Sequence, residues 1–266
     1  MTIGIVVALL LAAPGWLSLA SPVPELADRR VSSLGAGGGF LFVASDRGLE
    51  RFDLQTREVR LLTKERTEAW IAVDVERRQL YCVGPWAPQF GFAVDFDGHR
   101  LNFDPSDEGA APEVVRNFLE RWGRAQALLG SLMSAVAWDA NGEFYCPAKG
   151  RCLLRSTPRD TLRRTDAETE GPVCCAAAAP RYFFVGEITG LTVVRRANRR
   201  STFFPDGKGR FERIDAMAVA RDKLFLGVSW ASAGSNETHG VYTIPLKVFE
   251  RGAHSKGKSE PTVQGH

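Results

Sequence analysis

The chain has 266 residues, 44% of them apolar and 24% charged, which suffices for a full buried core and argues against wholesale disorder. Its formal charge is only +3, with basic and acidic residues interspersed, as in Asp28-Arg29-Arg30 and Lys64-Glu65-Arg66. No contiguous basic stretch of the kind that nucleic acid requires is written in it, so nucleic acid is not an expected partner.

In chain order, Ile3 to Ala13 is an unbroken small or aliphatic run, followed by Pro14-Gly15 and then by Ser18-Leu19-Ala20, which offers small residues at a cleavage site. Residues 1–20 are therefore expected to be a secretory signal peptide cut after Ala20, with the secretory lumen or the exterior as the location. The segment preceding the apolar run carries no Lys or Arg, which leaves an uncleaved anchor as the alternative. No later stretch approaches the roughly 20 apolar residues of a membrane span, so none is expected after cleavage. Residues 21–30 contain Pro22 and Pro24 and are expected to be a lead-in segment.

From Val31 a repeat begins. Val31-Ser32-Ser33-Leu34 is a candidate inner strand, Gly35 to Gly39 its turn, Phe40-Leu41-Phe42-Val43 a second strand, Gly48 to Phe52 a third and Val59 to Leu62 a fourth. A phosphate-cradling loop is the sharper reading of the glycines, but no Gly-Lys-Ser/Thr follows them, and a tight hairpin explains the run. The pattern is clearest from Trp70 to Phe103, where Trp70 to Asp74, Leu80 to Val83, Gly91 to Val94 and Arg100 to Phe103 are short apolar or β-branched runs separated by turns. That is a four-stranded antiparallel meander.

Aligning the aromatic residues of the second strands brings Phe42, Tyr81, Tyr145, Phe183 and Phe225 into register, four of them about one unit apart. Each precedes a third strand opened by glycine, at Gly48, Gly91, Gly150, Gly190 and Gly240. Each follows an inner-strand candidate, most clearly Ile71 to Asp74, Val136 to Asp139 and Met217 to Ala220. The recurring alanine suits a crowded centre where inner strands converge. The expected fold is all-β and β-propeller-like over residues 31–250, with five visible four-stranded blades and six possible.

The stretch Val136-Ala137-Trp138-Asp139-Ala140-Asn141-Gly142-Glu143-Phe144-Tyr145, like Ile71 to Asp74 with Leu80-Tyr81, resembles the repeats of the NHL, low-density-lipoprotein-receptor-type and SMP-30/gluconolactonase-like propellers. These belong to a broad TolB-like superfamily, usually six-bladed. The receptor-type Tyr-Trp-Thr-Asp signature is absent; Leu80-Tyr81-Cys82-Val83 and Phe144-Tyr145-Cys146-Pro147 stand in its place. The likeness implies a fold more than a function.

Between Tyr81 and Tyr145 lies one convincing helix, Pro112 to about Leu129, with Val115, Phe118, Leu119, Trp122 and Leu129 on one face. Residues 104–133 are thus expected to be a helical insertion, either a cover over the blades or a lid over a channel mouth. Residues 251–266 are nearly devoid of apolar side chains and are expected to be a disordered tail.

Catalytic motifs are lacking. The histidines are His99, His239, His254 and His266, with no His-Glu-x-x-His, no Cys-x-x-Cys and no Gly-x-Ser-x-Gly, although Gly227-Val228-Ser229-Trp230-Ala231 approaches the last. Since SMP-30-like hydrolases hold a divalent cation with acidic and amide side chains near the channel, the resemblance makes Asp74, Asp139 and Glu187 the candidates to bind an ion such as calcium. Asp139-Ala140-Asn141-Gly142 is equally good turn chemistry without metal.

Cysteines number five, an odd set: Cys82, Cys146, Cys152, Cys174 and Cys175. Cys146 and Cys152 flank a short hairpin and are candidates for a disulfide, with free buried thiols as the alternative; vicinal Cys174 and Cys175 should face opposite ways. Asn236-Glu237-Thr238 is the single N-glycosylation sequon. The functional expectation is an exported ligand- or protein-binding propeller module without a recognisable catalytic motif. The alternative is a divalent-cation-dependent lactone or ester hydrolase of the SMP-30-like kind.

Overall fold

Glycine-led hairpins and period-two runs produce five four-stranded antiparallel sheets. The computed structural model describes residues 15–66, 70–84, 91–104, 111–129, 137–138, 144–148, 152–156, 163–168, 172–205, 213–230 and 239–251. A short helix α1 (Trp16–Leu19) leads into β1 (Ser21–Ala27). The first blade is β2 (Val31–Gly37), β3 (Phe40–Ser45), β4 (Gly48–Asp53) and β5 (Val59–Thr63). Blade two is β6 (Trp70–Asp74), β7 (Gln79–Val83), β8 (Phe92–Asp95) and β9 (Arg100–Leu101). After α2 (Glu113–Leu129) come the third blade, β10 (Ala137–Trp138), β11 (Phe144–Ala148), β12 (Cys152–Ser156) and β13 (Arg163–Glu168), and the fourth, β14 (Val173–Ala178), β15 (Tyr182–Glu187), β16 (Gly190–Arg195) and β17 (Ser201–Pro205). Blade five is β18 (Arg213–Ala220), β19 (Lys223–Trp230) and β20 (Gly240–Pro245), and a final turn of helix, α3 (Lys247–Arg251), follows.

The fourth strand of blade five comes from the other end of the chain. β1 pairs antiparallel with β20, Ser21 opposite Thr243 and Pro22 opposite Tyr242, so the sheet order is β1-β20-β19-β18. The expected lead-in 21–30 is therefore corrected to a blade strand over Ser21–Ala27, with residues 28–30 as the connection to β2. Its prolines are compatible with that place because an outermost strand can leave N–H positions toward solvent, and Val23 and Leu26 still turn into the core.

Second strands are covered on both faces by neighbouring blades, which is why Leu41, Phe42, Val43 and Ala44 are all buried in succession. The same holds for Phe183, Phe184 and Val185, with Phe183 turned into one cluster and Phe184 into the next. The core consists of such interblade layers, each fully buried Phe or Leu contributing about 1.5–3 kcal/mol. Inner strands touch in the order β10, β14, β18, β2, β6, and α2 contacts both β6 and β11. The circuit thus passes through a helix between blades two and three.

α2 begins at Glu113, one residue from the expected start. Val115, Phe118 and Trp122 pack with Ala72, Tyr81, Val83 and Ala93 on the flank of blade two, and Phe118 stacks on Trp70 with ring centroids 3.9 Å apart and planes 9° from parallel. Val114 also reaches the central channel, so the helix both covers a blade and touches the channel mouth.

One glycine assignment changes. Gly35 and Gly37 lie inside β2, and only Gly38 and Gly39 make the turn. A Cβ on Gly35 would stand 2.9 Å from Ile71 Cγ2, and one on Gly37 2.7 Å from Val73 Cγ1. These glycines let two inner strands approach closely.

Candidate functional site

Leu34, Ile71, Val73, Met217 and the alanines of β14 and β18 line a central cavity of about 260 Å³. Among the described residues its wall carries no ionisable side chain. The alanine-rich inner strands predicted from sequence give this lining directly.

Asp74 ends β6 and caps its own turn: Oδ1 accepts a hydrogen bond from the Arg77 backbone N–H at 3.0 Å, and the Arg77 guanidinium lies 3.6 Å from Oδ2. Glu187 ends β15 and is fully buried, accepting a hydrogen bond from Thr192 Oγ1 at 2.5 Å. An inner strand and a second strand run in opposite directions, so these two carboxylates sit at opposite rims of the ring and do not converge. Asp139 and Asn236 lie outside the described residues. No group of His, Cys, Asp and Glu suited to a metal ion occurs among the described residues.

Cys82 and Cys175 are buried in separate interblade layers, Cys82 beside blade one and Cys175 beside blade five, where its Sγ donates to the Ile214 carbonyl at 3.2 Å. The thiols of Cys82, Cys174 and Cys175 are free. Burial pushes Cys82 up to about 12 and Cys174 up to about 11, which keeps both protonated and poorly nucleophilic at neutral pH. The side chains of Cys146 and Cys152 lie outside the described residues, but the backbone register sets Cys146 opposite Leu154 and Cys152 opposite Ala148. The pair is thus diagonal across β11 and β12, not directly opposed.

A feature that sequence reading missed lies on the rim formed by the turns joining first to second and third to fourth strands. There Ala179 to Arg181, Arg195 to Ala197 and Arg221-Asp222 meet the Leu246 segment and α3. Leu246 donates its backbone N–H to the Asp222 carbonyl at 2.8 Å, the Arg196 N–H bonds the Arg181 carbonyl at 3.1 Å, and Arg195 reaches the Phe249 carbonyl at 2.8 Å. The floor is Tyr182, buried beside Phe249. Two open cavities, of about 660 and 730 Å³, share Pro180, Arg181, Tyr182 and Glu250 and so form one trough across blades four and five.

Its walls bring five cationic side chains, those of Arg181, Arg195, Arg196, Lys223 and Lys247, against two carboxylates, Asp222 and Glu250, while the Arg221 guanidinium reaches toward Gly39 of blade one. Glu250 is already paired with Arg181 at 2.9 Å. The cations are scattered in sequence, and only the shared turn position of each, read across aligned repeats, could have gathered them.

No helix among the described residues is long and apolar enough to cross a membrane. No family model matches the chain, and no curated protein does. Among solved structures, a chain of a nidogen/laminin complex is similar at a TM-score of 0.40 and 12% identity, covering 82% of this chain and 76% of that chain.

Proposed function

We propose that this protein is an exported, non-catalytic binding module of the NHL and SMP-30-like propeller type, built on five blades and a helix. The observation that carries it is the contrast between a channel wall that has no ionisable side chain among the described residues and an open, cation-lined trough on one rim. Catalysis needs an oriented acid, base or metal at a reacting centre. The trough offers recognition: charged side chains on rigid turns over a packed floor. Export, cleavage after Ala20, a glycan on Asn236 and the Cys146–Cys152 bridge belong to the same proposal and rest on the sequence signals.

The alternative, a divalent-cation-dependent lactone or ester hydrolase, draws on the resemblance of the repeats. A lactone and aryl-ester turnover screen with calcium, zinc and manganese separates the two, run on the wild type and on Asp74→Ala, Asp139→Ala and Glu187→Ala. No turnover above the metal-only rate is expected. Metal-dependent turnover lost in a well-folded variant would replace the binding assignment with the hydrolase.

A further inference from the structure

We infer that the trough across blades four and five is a docking site for an extended, carboxylate-rich peptide segment of a partner protein, an inference that rests on the binding-module reading and gives it a ligand class. Charge complementarity is the first ground. The walls carry an excess of cations, and the side chains of Lys223 and Lys247 have no hydrogen bond or ion pair with another described residue, so their charges are open to an incoming ligand.

The tightness of the turns that build the walls is the second ground. Arg221 and Asp222 occupy consecutive left-handed positions, φ 44° and 56°, and Arg199 in the adjacent turn has φ 58°. Arg57 and Arg78 hold the same conformation in turns of blades one and two, so it belongs to the repeated tight turns, which fix the backbone from which the wall side chains project.

Shape decides among anionic ligands. Two contiguous open cavities, of about 660 and 730 Å³, make one groove larger than a compact anion fills. Asp222 and Glu250 punctuate the walls, and the aromatic floor is buried, leaving among the described residues of the trough no exposed ring on which a base could stack. That combination suits spaced carboxylates on a peptide better than a phosphodiester backbone. The chain's own segment after Arg251 does not complement the trough, since Lys256 and Lys258 outnumber Glu260.

The test titrates the full chain into a fluorescein-labelled peptide of repeating glutamate and serine and follows anisotropy, with a lysine–serine peptide as the control. Saturable binding of the glutamate peptide alone is expected, weakening as salt is raised. Lys223→Glu combined with Lys247→Glu should weaken it by about tenfold or more. Arg181→Gln is the decisive variant: it should weaken binding while leaving the melting temperature nearly unchanged, because its ion pair with Glu250 lies on the surface.

Failure of the wild type to bind, equal binding by the charge-reversed variant, or equivalent loss from Arg60→Glu on the distant outer strand would overturn the site. Displacement of the peptide by inorganic phosphate or by single-stranded DNA at comparable concentration would overturn the ligand class. The turnover screen is a separate readout. A protein that turns over no ester and ignores the peptide sinks this site alone, whereas metal-dependent turnover sinks the binding reading beneath it.

Discussion

Burial of the Cys82 thiol between blades one and two pushes it up to about 12 by desolvation, with the Glu65 carboxylate adding to the rise. The unfolded chain releases that proton near the ordinary value of 9.0, so between pH 9 and 12 the folded state holds a proton that the unfolded state has lost. Stability is therefore fully present below pH 9 and falls as pH rises toward 12, by up to about 1.4 kcal/mol per pH unit for this group. Cys175 acts in the same direction, also through burial. Urea unfolding across this range should show a shallower alkaline slope in Cys82→Ala than in the wild type, whatever the variant's stability at pH 7. Identical slopes would mean that the thiol is not desolvated in solution. Other residues hold the blades at contact distance: a Cβ on Gly227 would stand 2.5 Å from Val31 Cγ1, and one on Gly186 3.1 Å from Ile214 Cγ2.

Elements with a glycine-led hairpin and an aromatic second strand were legible at once. Trp70–Asp74 was placed to the residue, and α2 to within one residue at its start. Elements whose partner is distant were not. β1 has no turn linking it to β20, and its prolines imitate a linker, so nothing local reveals that it completes blade five. Bidentate hydrogen bonds from Arg29 to Glu50, at 3.0 and 3.1 Å, then tie the exit of β1 to blade one. α1 raises a sharper matter, since Trp16 is fully buried, edge-on to Tyr242 with ring centroids 6.2 Å apart, although its Nε1 has no partner among the described residues. Cleavage after Ala20 spares β1 and removes Trp16. Trp16→Ala should thus cost about 3–5 kcal/mol in urea unfolding of a chain that keeps residue 16, and nothing in one that begins at Ser21. The mass of the mature protein identifies which chain is present: a start at Ser21 is what export requires, and retention of Trp16 would support the anchor.

At the scale of the whole molecule, ring and channel lining were readable because they repeat, whereas the trough was not, because its cations come from turns of two blades and a terminal helix. Among the described residues, the interval between blades two and three departs from the rest of the ring. Every other pair of neighbouring inner strands is in direct contact, while here α2 contacts β6 on one side and β11 on the other. If the helix completes the ring, its interface with blade two carries the same weight as an interblade layer. Removing a buried aromatic from it should then lower the stability of the entire domain. Phe118 is the position to change, being 1% exposed and stacked on Trp70. Phe118→Ala is expected to cost about 3–5 kcal/mol, with a single urea transition and an unchanged m-value, because the ring unfolds as one unit. Hydrogen exchange supplies the contrary signature. Faster exchange confined to α2, with amides of β15 and β19 as protected as in the wild type, would show that the helix merely lies against a ring closed without it.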